Sequence, residues 1–203
     1  ILTLAPNFSN PYYSSILAGI GDLAHHSEYS VLICNTGGRP ENEERFLKML
    51  DAHRADGAIF LGCRKNSQWH SGYAERYPIV QCCEYVPELE QPTVSIDNYA
   101  AAAETVRYLI HQGHRRIAAI FGEDTAVSRI RVSSFFNTCA RLGLEIPNEY
   151  VIHARYHDAD LSAAATRQLM RLPEPPTCIL YPDDFSFFGG KRELESMGLS
   201  VPE

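Results

Sequence analysis

Thr93-Val94-Ser95-Ile96-Asp97-Asn98-Tyr99, followed by a helical run to His111-Gln112-Gly113 and then by His114-Arg115-Arg116-Ile117-Ala118-Ala119-Ile120-Phe121, is the stretch whose reading decides the fold. A short apolar segment gives way to a helix over 98–111. Gly113 sits where a helix end wants a residue free to adopt positive φ. A second apolar segment over 116–121 follows at once. Strand, helix, strand with continuous apolar strands is the crossover of a parallel sheet, because a strand covered on both faces has no polar side to alternate with.

Working outward, the same unit repeats. Upstream, strands are expected at 1–5, 29–34, 57–61, 78–82 and 93–96, with helices at 12–26 and after Pro40, and a weaker one near 67–76. Pro40 followed by Glu41, Glu43 and Glu44 marks a helix start, since acidic groups favour the positive end of the helix dipole. Downstream, helices over 128–142, 159–172 and 185–197 alternate with strands over 150–154 and 177–181. Gly143 and Gly198 stand at two of the helix ends. The expected architecture is α/β, with two Rossmann-like doubly wound parallel-sheet lobes spanning residues 1–97 and 98–203. Five strands fall in the first lobe and three in the second, which reads as incomplete. The chain opens directly on an apolar run and stops at Val201-Pro202-Glu203, which reads as a window cut from a longer protein.

Composition bounds the function. The 203 residues are 45% hydrophobic and 21% charged, enough for one large core or two small ones. Net charge is −7, of which −5 falls on residues 1–97 (seven basic, twelve acidic), so neither lobe is a basic nucleic-acid surface. No apolar stretch approaches the roughly 18 to 20 residues of a membrane span. The six cysteines show no CxxC spacing, and Cys34, Cys63, Cys139 and Cys178 lie in apolar runs, the pattern of reduced core thiols in a cytoplasmic protein. Vicinal Cys82-Cys83 at a strand end reads either as a redox pair or as two ordinary buried thiols.

Most motif-like features dissolve on inspection. Gly19-Ile20-Gly21-Asp22-Leu23-Ala24 has the letters of a dinucleotide fingerprint, but the first glycine lies well inside a helix rather than in the turn where backbone N–H groups meet a pyrophosphate. Small residues allowing close helix packing are the expectation there. Gly189-Gly190-Lys191 lacks the upstream glycine and the Ser or Thr of a phosphate loop. His25, His26, His111 and His114 lack metal-ligand spacing, and no Ser sits in a nucleophile elbow. No catalysis, no cofactor and no metal are expected.

What remains lies at the carboxyl ends of strands, where open α/β sheets bind ligands. Tyr12 and Tyr13 follow the first strand, Asp97 the fifth, Arg129 and Arg131 the sixth, Tyr156 the seventh, and Asp183 and Asp184 the eighth. Rings flanking a planar or cyclic ligand, with carboxylate and guanidinium groups on its hydroxyls or amides, are how a small hydrophilic molecule is gripped. Each residue taken singly also reads as an ordinary loop residue.

Asn10-Pro11-Tyr12-Tyr13, Val94 to Tyr99, Tyr108 to Ile117 with its Gly113-His114-Arg115-Arg116-Ile117 block, and Met197 to Glu203 together resemble the signature blocks of the LacI/GalR family of bacterial transcriptional regulators. Glu84 to Val94 and Leu172 to Thr177 resemble its cytidine-responsive branch. The resemblance implies an effector-binding core that dimerises and takes a nucleoside or sugar in the cleft between its lobes. It also implies a helix-turn-helix headpiece upstream of Ile1 that reads operator DNA under allosteric control. By position, Tyr12 and Tyr13 would line the effector, Asp97 and Arg131 would hydrogen-bond it, Tyr156 would close the other side, and Asp183 would stand at a polar contact that is commonly Asn. Ser134, Asp183-Asp184, Phe187 and Phe188 depart from the family pattern, the two rings crowding the expected ligand position. A periplasmic solute receptor of a sugar or nucleoside transporter shares the fold and is the alternative. An enzyme of the same fold is the third reading.

Overall fold

The structure, a computed structural model, describes residues 1–62 and 69–201. It divides into two compact units, Ile1–Ile96 and Asp97–Glu203. The first unit carries β1 (Leu2–Ala5), α1 (Pro11–His26), β2 (Leu32–Asn35), α2 (Pro40–Asp51), β3 (Ala58–Phe60), α3 (Trp69–Ala74), β4 (Ile79–Cys82) and β5 (Thr93–Val94). The second carries α4 (Asn98–His111), β6 (Ile117–Phe121), α5 (Ala126–Arg141), β7 (Val151–His153), α6 (Ala159–Met170), β8 (Cys178–Leu180) and α7 (Asp184–Ser196). Cys63 and the start of the helix expected near 67 lie outside the described residues.

Among the described residues all strand pairs are parallel. The first sheet runs β2-β1-β3-β4-β5, with Leu2 beside both Leu32 and Ala58; the second runs β7-β6-β8, with Ala119 beside both Val151 and Leu180. Each unit therefore starts on an interior strand of its sheet, adds the next strand on one side and then crosses to the other. That reversal opens a crevice at the carboxyl ends of the paired strands, beside β1 and β3 in one unit and β6 and β8 in the other.

The core explains the apolar runs. Every residue of β6 is buried, and alternate residues feed opposite layers. Ile117, Ala119 and Phe121 pack with Val106, Phe135 and Cys139, while Ala118 and Ile120 pack with Tyr150, Ala165 and Leu169. In the first unit Leu2, Leu4, Leu47, Leu50, Phe60 and Ile79 share one cluster, and Ala5, Tyr13, Leu17 and Leu61 another.

Element ends differ from the pattern reading for local reasons. The second strand starts at Leu32 rather than at residue 29, because Glu28 takes φ of 59° and the Tyr29 N–H donates to the Ala24 carbonyl to finish α1. Helix α5 begins two residues earlier than expected because the Thr125 hydroxyl accepts from the Ser128 N–H at 3.0 Å and caps it. Tyr150 belongs to a 3₁₀ turn, not to β7, and its hydroxyl donates to the Glu174 carbonyl at 2.6 Å.

The close helix packing expected at Gly19 and Gly21 is not found: a β-carbon at either would meet no atom within 4 Å. The close approach lies instead at Gly189 and Gly190 in α7. There a β-carbon would collide with the Ala159 backbone at one position and the Tyr181 ring at the other. Arg167 clamps the same helix pair with a bidentate bond to the buried Glu193, at 2.6 and 2.7 Å. None of the described helices is long and apolar enough to cross a membrane.

Candidate functional site

In the first unit, Asn10 caps α1 by accepting from the Tyr12 N–H at 2.9 Å, and Pro11 supplies the pre-set first helical position. That places Tyr12 and Tyr13 on the first turn beyond β1. Their rings meet edge to face, 5.4 Å between centroids, but their environments are opposite. Tyr13 is 7% exposed and belongs to the core with Ala5, Leu17 and Leu61; Tyr12 is 51% exposed. Beside them β4 ends on Cys82. The Gln81 side chain, itself buried, closes the following turn by accepting from the Val86 N–H at 2.7 Å and donating to its carbonyl at 3.3 Å.

In the second unit, Asp97 caps α4 by accepting from the Ala100 N–H at 2.8 Å. Asn98, buried next to it, accepts from Arg131 Nε at 2.8 Å. This bond fixes where the guanidinium stands on α5. Arg131 and Tyr156 together line a cavity of about 180 Å³ with Ala101, Thr105, Phe121 and Tyr181. Tyr156 lies against Gly122, where a β-carbon would collide with its ring. Only glycine at the end of β6 lets Tyr156 occupy that place. Arg129 is not with them; it pairs with the exposed Asp124 at 2.7 Å.

Asp183 has a different surrounding. It caps α7, accepting from the Ser186 N–H at 3.0 Å and from the Ser186 hydroxyl at 3.1 Å, and it also accepts from the His157 N–H at 3.0 Å. His157 Nδ1 lies 3.4 Å from its other oxygen. Burial pushes the carboxyl up, but the hydrogen bonds from His157 and Ser186 and the charge of His157 outweigh it, holding Asp183 at about 2. Its acceptor capacity is engaged within the unit, joining the β7 and β8 loops.

Ser134 departs from the family pattern with a structural use, while the rings of Phe187 and Phe188 do not crowd the cavity. Ser134, fully buried, donates to the Tyr99 carbonyl at 2.6 Å and ties α5 to α4. Phe187 and Phe188 are exposed on α7, and neither lines the 180 Å³ cavity. A larger cavity of about 500 Å³, lined by Gly122, His153, Arg155, Leu161, Ala165 and Gln168, contains none of the six sequence-predicted residues. Among the described residues no group of three or more His, Cys, Asp or Glu could hold a metal ion.

A family model described as "Periplasmic binding proteins and sugar binding domain of LacI family" matches residues 1–203. The chain belongs to that family. It is 32% identical, over its whole length and 60% of the relative's, to the HTH-type transcriptional repressor CytR of Escherichia coli. It is 29% identical to the ribose operon repressor of Escherichia coli, over 96% of this chain and 60% of that one. The chain thus spans about 60% of the length of the curated relatives it matches. A crystal structure of an uncharacterized protein from Actinobacillus succinogenes superposes with a TM-score of 0.89 at 28% identity, covering 99% of this chain and 75% of that one. For a LacI-family binding domain, sequence reasoning missed Asn98, Gly122, His157 and Gln81. Asn98 carried a legible signal, a polar residue directly after a helix cap; Gly122 and His157 act across loops distant in sequence, and Gln81 acts through a turn five residues on.

Proposed function

We propose that the chain is the effector-binding part of a LacI-type transcriptional repressor, sensing a small polar ligand of nucleoside or sugar type. The observation that carries this is the pairing of Arg131 and Tyr156 in one cavity at the carboxyl end of β6, with Asn98 fixing the guanidinium and Gly122 making room for the ring. A fixed guanidinium beside an aromatic wall reads hydroxyl or carbonyl oxygens on a flat or cyclic molecule. At about 180 Å³ the cavity is below the roughly 300 Å³ of a whole small-molecule site, so it takes part of the ligand. On the sequence resemblance, Tyr12, exposed and aromatic, and Asp97 contribute further contacts, while Asp183, its acceptors engaged by His157 and Ser186, positions the β7 and β8 loops. Family membership over all 203 residues supports the same reading.

On this reading the protein is no enzyme. It works as a cytoplasmic homodimer, and operator DNA is read by a helix-turn-helix segment outside these residues, consistent with the acidic charge of the binding part. The effector acts by binding one conformational state more tightly than another, the only way a ligand shifts such an equilibrium.

Titration calorimetry with nucleosides, nucleobases, pentoses and hexoses tests the assignment. Saturable binding by a member of one class, weakened on the order of tenfold or more in Arg131→Ala by loss of a charge-assisted contact, is expected. Absence of binding across all four classes overturns it.

A further inference from the structure

The pair Cys82-Cys83 has no part in the effector reading, yet its geometry is built. The two sulfurs stand 3.6 Å apart. Cys83 holds φ of 71°, a left-handed conformation that residues with a β-carbon rarely adopt. Its N–H donates to the Val94 carbonyl at 2.9 Å, the Ser95 hydroxyl donates to its carbonyl at 3.4 Å, and Gln81 closes the turn behind it. Both cysteines are half-buried, so small reagents can reach them. Cys82 packs against the cluster that contains Tyr13, and the Tyr12 hydroxyl donates to Cys83.

Hydrogen bonding from the Cys82 thiol holds Cys83 down to about 7 against burial, with Tyr12 adding to the effect and Glu84 opposing it. The same hydrogen bond, together with burial, pushes Cys82 up. Other described thiols behave oppositely to Cys83: burial pushes Cys139 to about 11 and Cys178 to about 12, and raises Cys34. A thiolate beside a proton-bearing thiol, at a partly open site, is the arrangement of a reactive cysteine with its resolving partner.

We propose that Cys82-Cys83 is a reversible two-electron oxidation site, closed to a vicinal disulfide by a peroxide-class oxidant. The Cys83 thiolate attacks one peroxide oxygen; the O–O bond breaks, giving a sulfenic acid and hydroxide, which takes the proton of the Cys82 thiol to become water. The Cys82 sulfur then attacks the Cys83 sulfur, the S–O bond breaks, and the departing hydroxide leaves as a second water once protonated by solvent. That last proton replaces the one the Cys83 thiol released to solvent on ionising, so the count closes: two thiols and one hydrogen peroxide give one disulfide and two waters. Two electrons pass from sulfur to oxygen. Adjacent Cα atoms about 3.8 Å apart lie inside the roughly 4.4 Å lower limit of ordinary disulfides, so the closed form is strained and readily reduced by thiols. Closure removes the thiolate that the Tyr12 hydroxyl donates to. Its effect on ligand affinity rests on the proposed effector site; the oxidation itself does not.

Tryptic peptide 77–107 carries these two cysteines and no other. After brief exposure of the full chain to stoichiometric hydrogen peroxide and then alkylation, this peptide is expected without alkyl groups and two hydrogens lighter, and dithiothreitol is expected to restore both alkylation sites. Full alkylation after peroxide, or cross-linking between chains in place of the internal bond, overturns the proposal. In Cys82→Ser, dimedone should trap a sulfenic acid on Cys83; in Cys83→Ser, Cys82 should react on the order of tenfold more slowly. Equal rates in Cys83→Ser and the parent overturn Cys83 as the attacking sulfur. The measurement on the parent chain needs no variant to fold. A disulfide that forms without changing the affinity of a ligand found by calorimetry overturns the coupling through Tyr12 alone.

Discussion

The two units wind their sheets in the same way, first strand interior and crossing over after the second, yet they furnish the carboxyl ends of those strands with opposite chemistry. The first unit offers an exposed ring, Tyr12, and a left-handed thiol turn at Cys83. The second offers polar groups already hydrogen-bonded to one another: Arg131 on Asn98, Asp183 on His157 and Ser186. The scaffold sets where a site can be. Which side chains can meet a ligand depends on how the loops of that unit hold them.

The sharpest way to break the comparison is to disturb the close packing of α7 on α6 in the second unit. In Gly189→Ala the new β-carbon meets the backbone of Ala159, which cannot swing aside as a side chain would. Urea unfolding should show a loss of about 3 kcal/mol or more, at the upper end of overpacking effects. A loss below about 1 kcal/mol would mean that α6 and α7 can slide apart.

In the first unit the contrast lies between neighbours. Tyr13→Ala should cost about 3 kcal/mol, since the ring is core. Tyr12→Ala should change stability by no more than about 0.5 kcal/mol while weakening ligand binding. If both variants lose stability equally, Tyr12 is a packing residue and not a ligand contact.

Asp183 sharpens the second unit by pH. Its carboxyl is held at about 2 in the folded chain against an ordinary 3.8. Its stabilisation is therefore fully present above about pH 4 and is lost as pH falls toward 2, a contribution of about 2 kcal/mol. Asp183→Asn keeps the helix cap but removes that titration, so the acid limb of its stability profile should be flatter than the parent's. An unchanged acid limb would show that His157 and Ser186 do not hold the carboxylate.

These contrasts mark what the amino-acid pattern could and could not reveal. The strand over 116–121 was legible because all five residues of β6 are apolar and buried, which only a central parallel strand requires. The glycines at 113, 143 and 198 were legible as helix ends because each takes positive φ. Which of Tyr12 and Tyr13 turns inward was not, since one helical step decides it and the deciding contacts come from Ala5 and Leu61 on other elements. Asp97 and Asp183 carry the letters of a ligand contact and of a helix cap alike. Only the hydrogen bond from His157, 26 residues away, shows that Asp183 is already engaged.

The smallest effect tests the same point with a gain instead of a loss. Gly19 and Gly189 both sit inside helices and both belong to pairs of glycines, and no local rule tells them apart. At Gly19 nothing lies within 4 Å of a would-be β-carbon, so no packing opposes a side chain there. Alanine loses less backbone freedom on folding than glycine and is the better helix former, so Gly19→Ala should stabilise the first unit by about 0.5 to 1 kcal/mol. The opposite signs at Gly19 and Gly189, read in the same urea titration, would separate glycine tolerated in a helix from glycine required by it. Destabilisation at Gly19 would instead mean that α1 is covered there in solution by a surface outside the described residues.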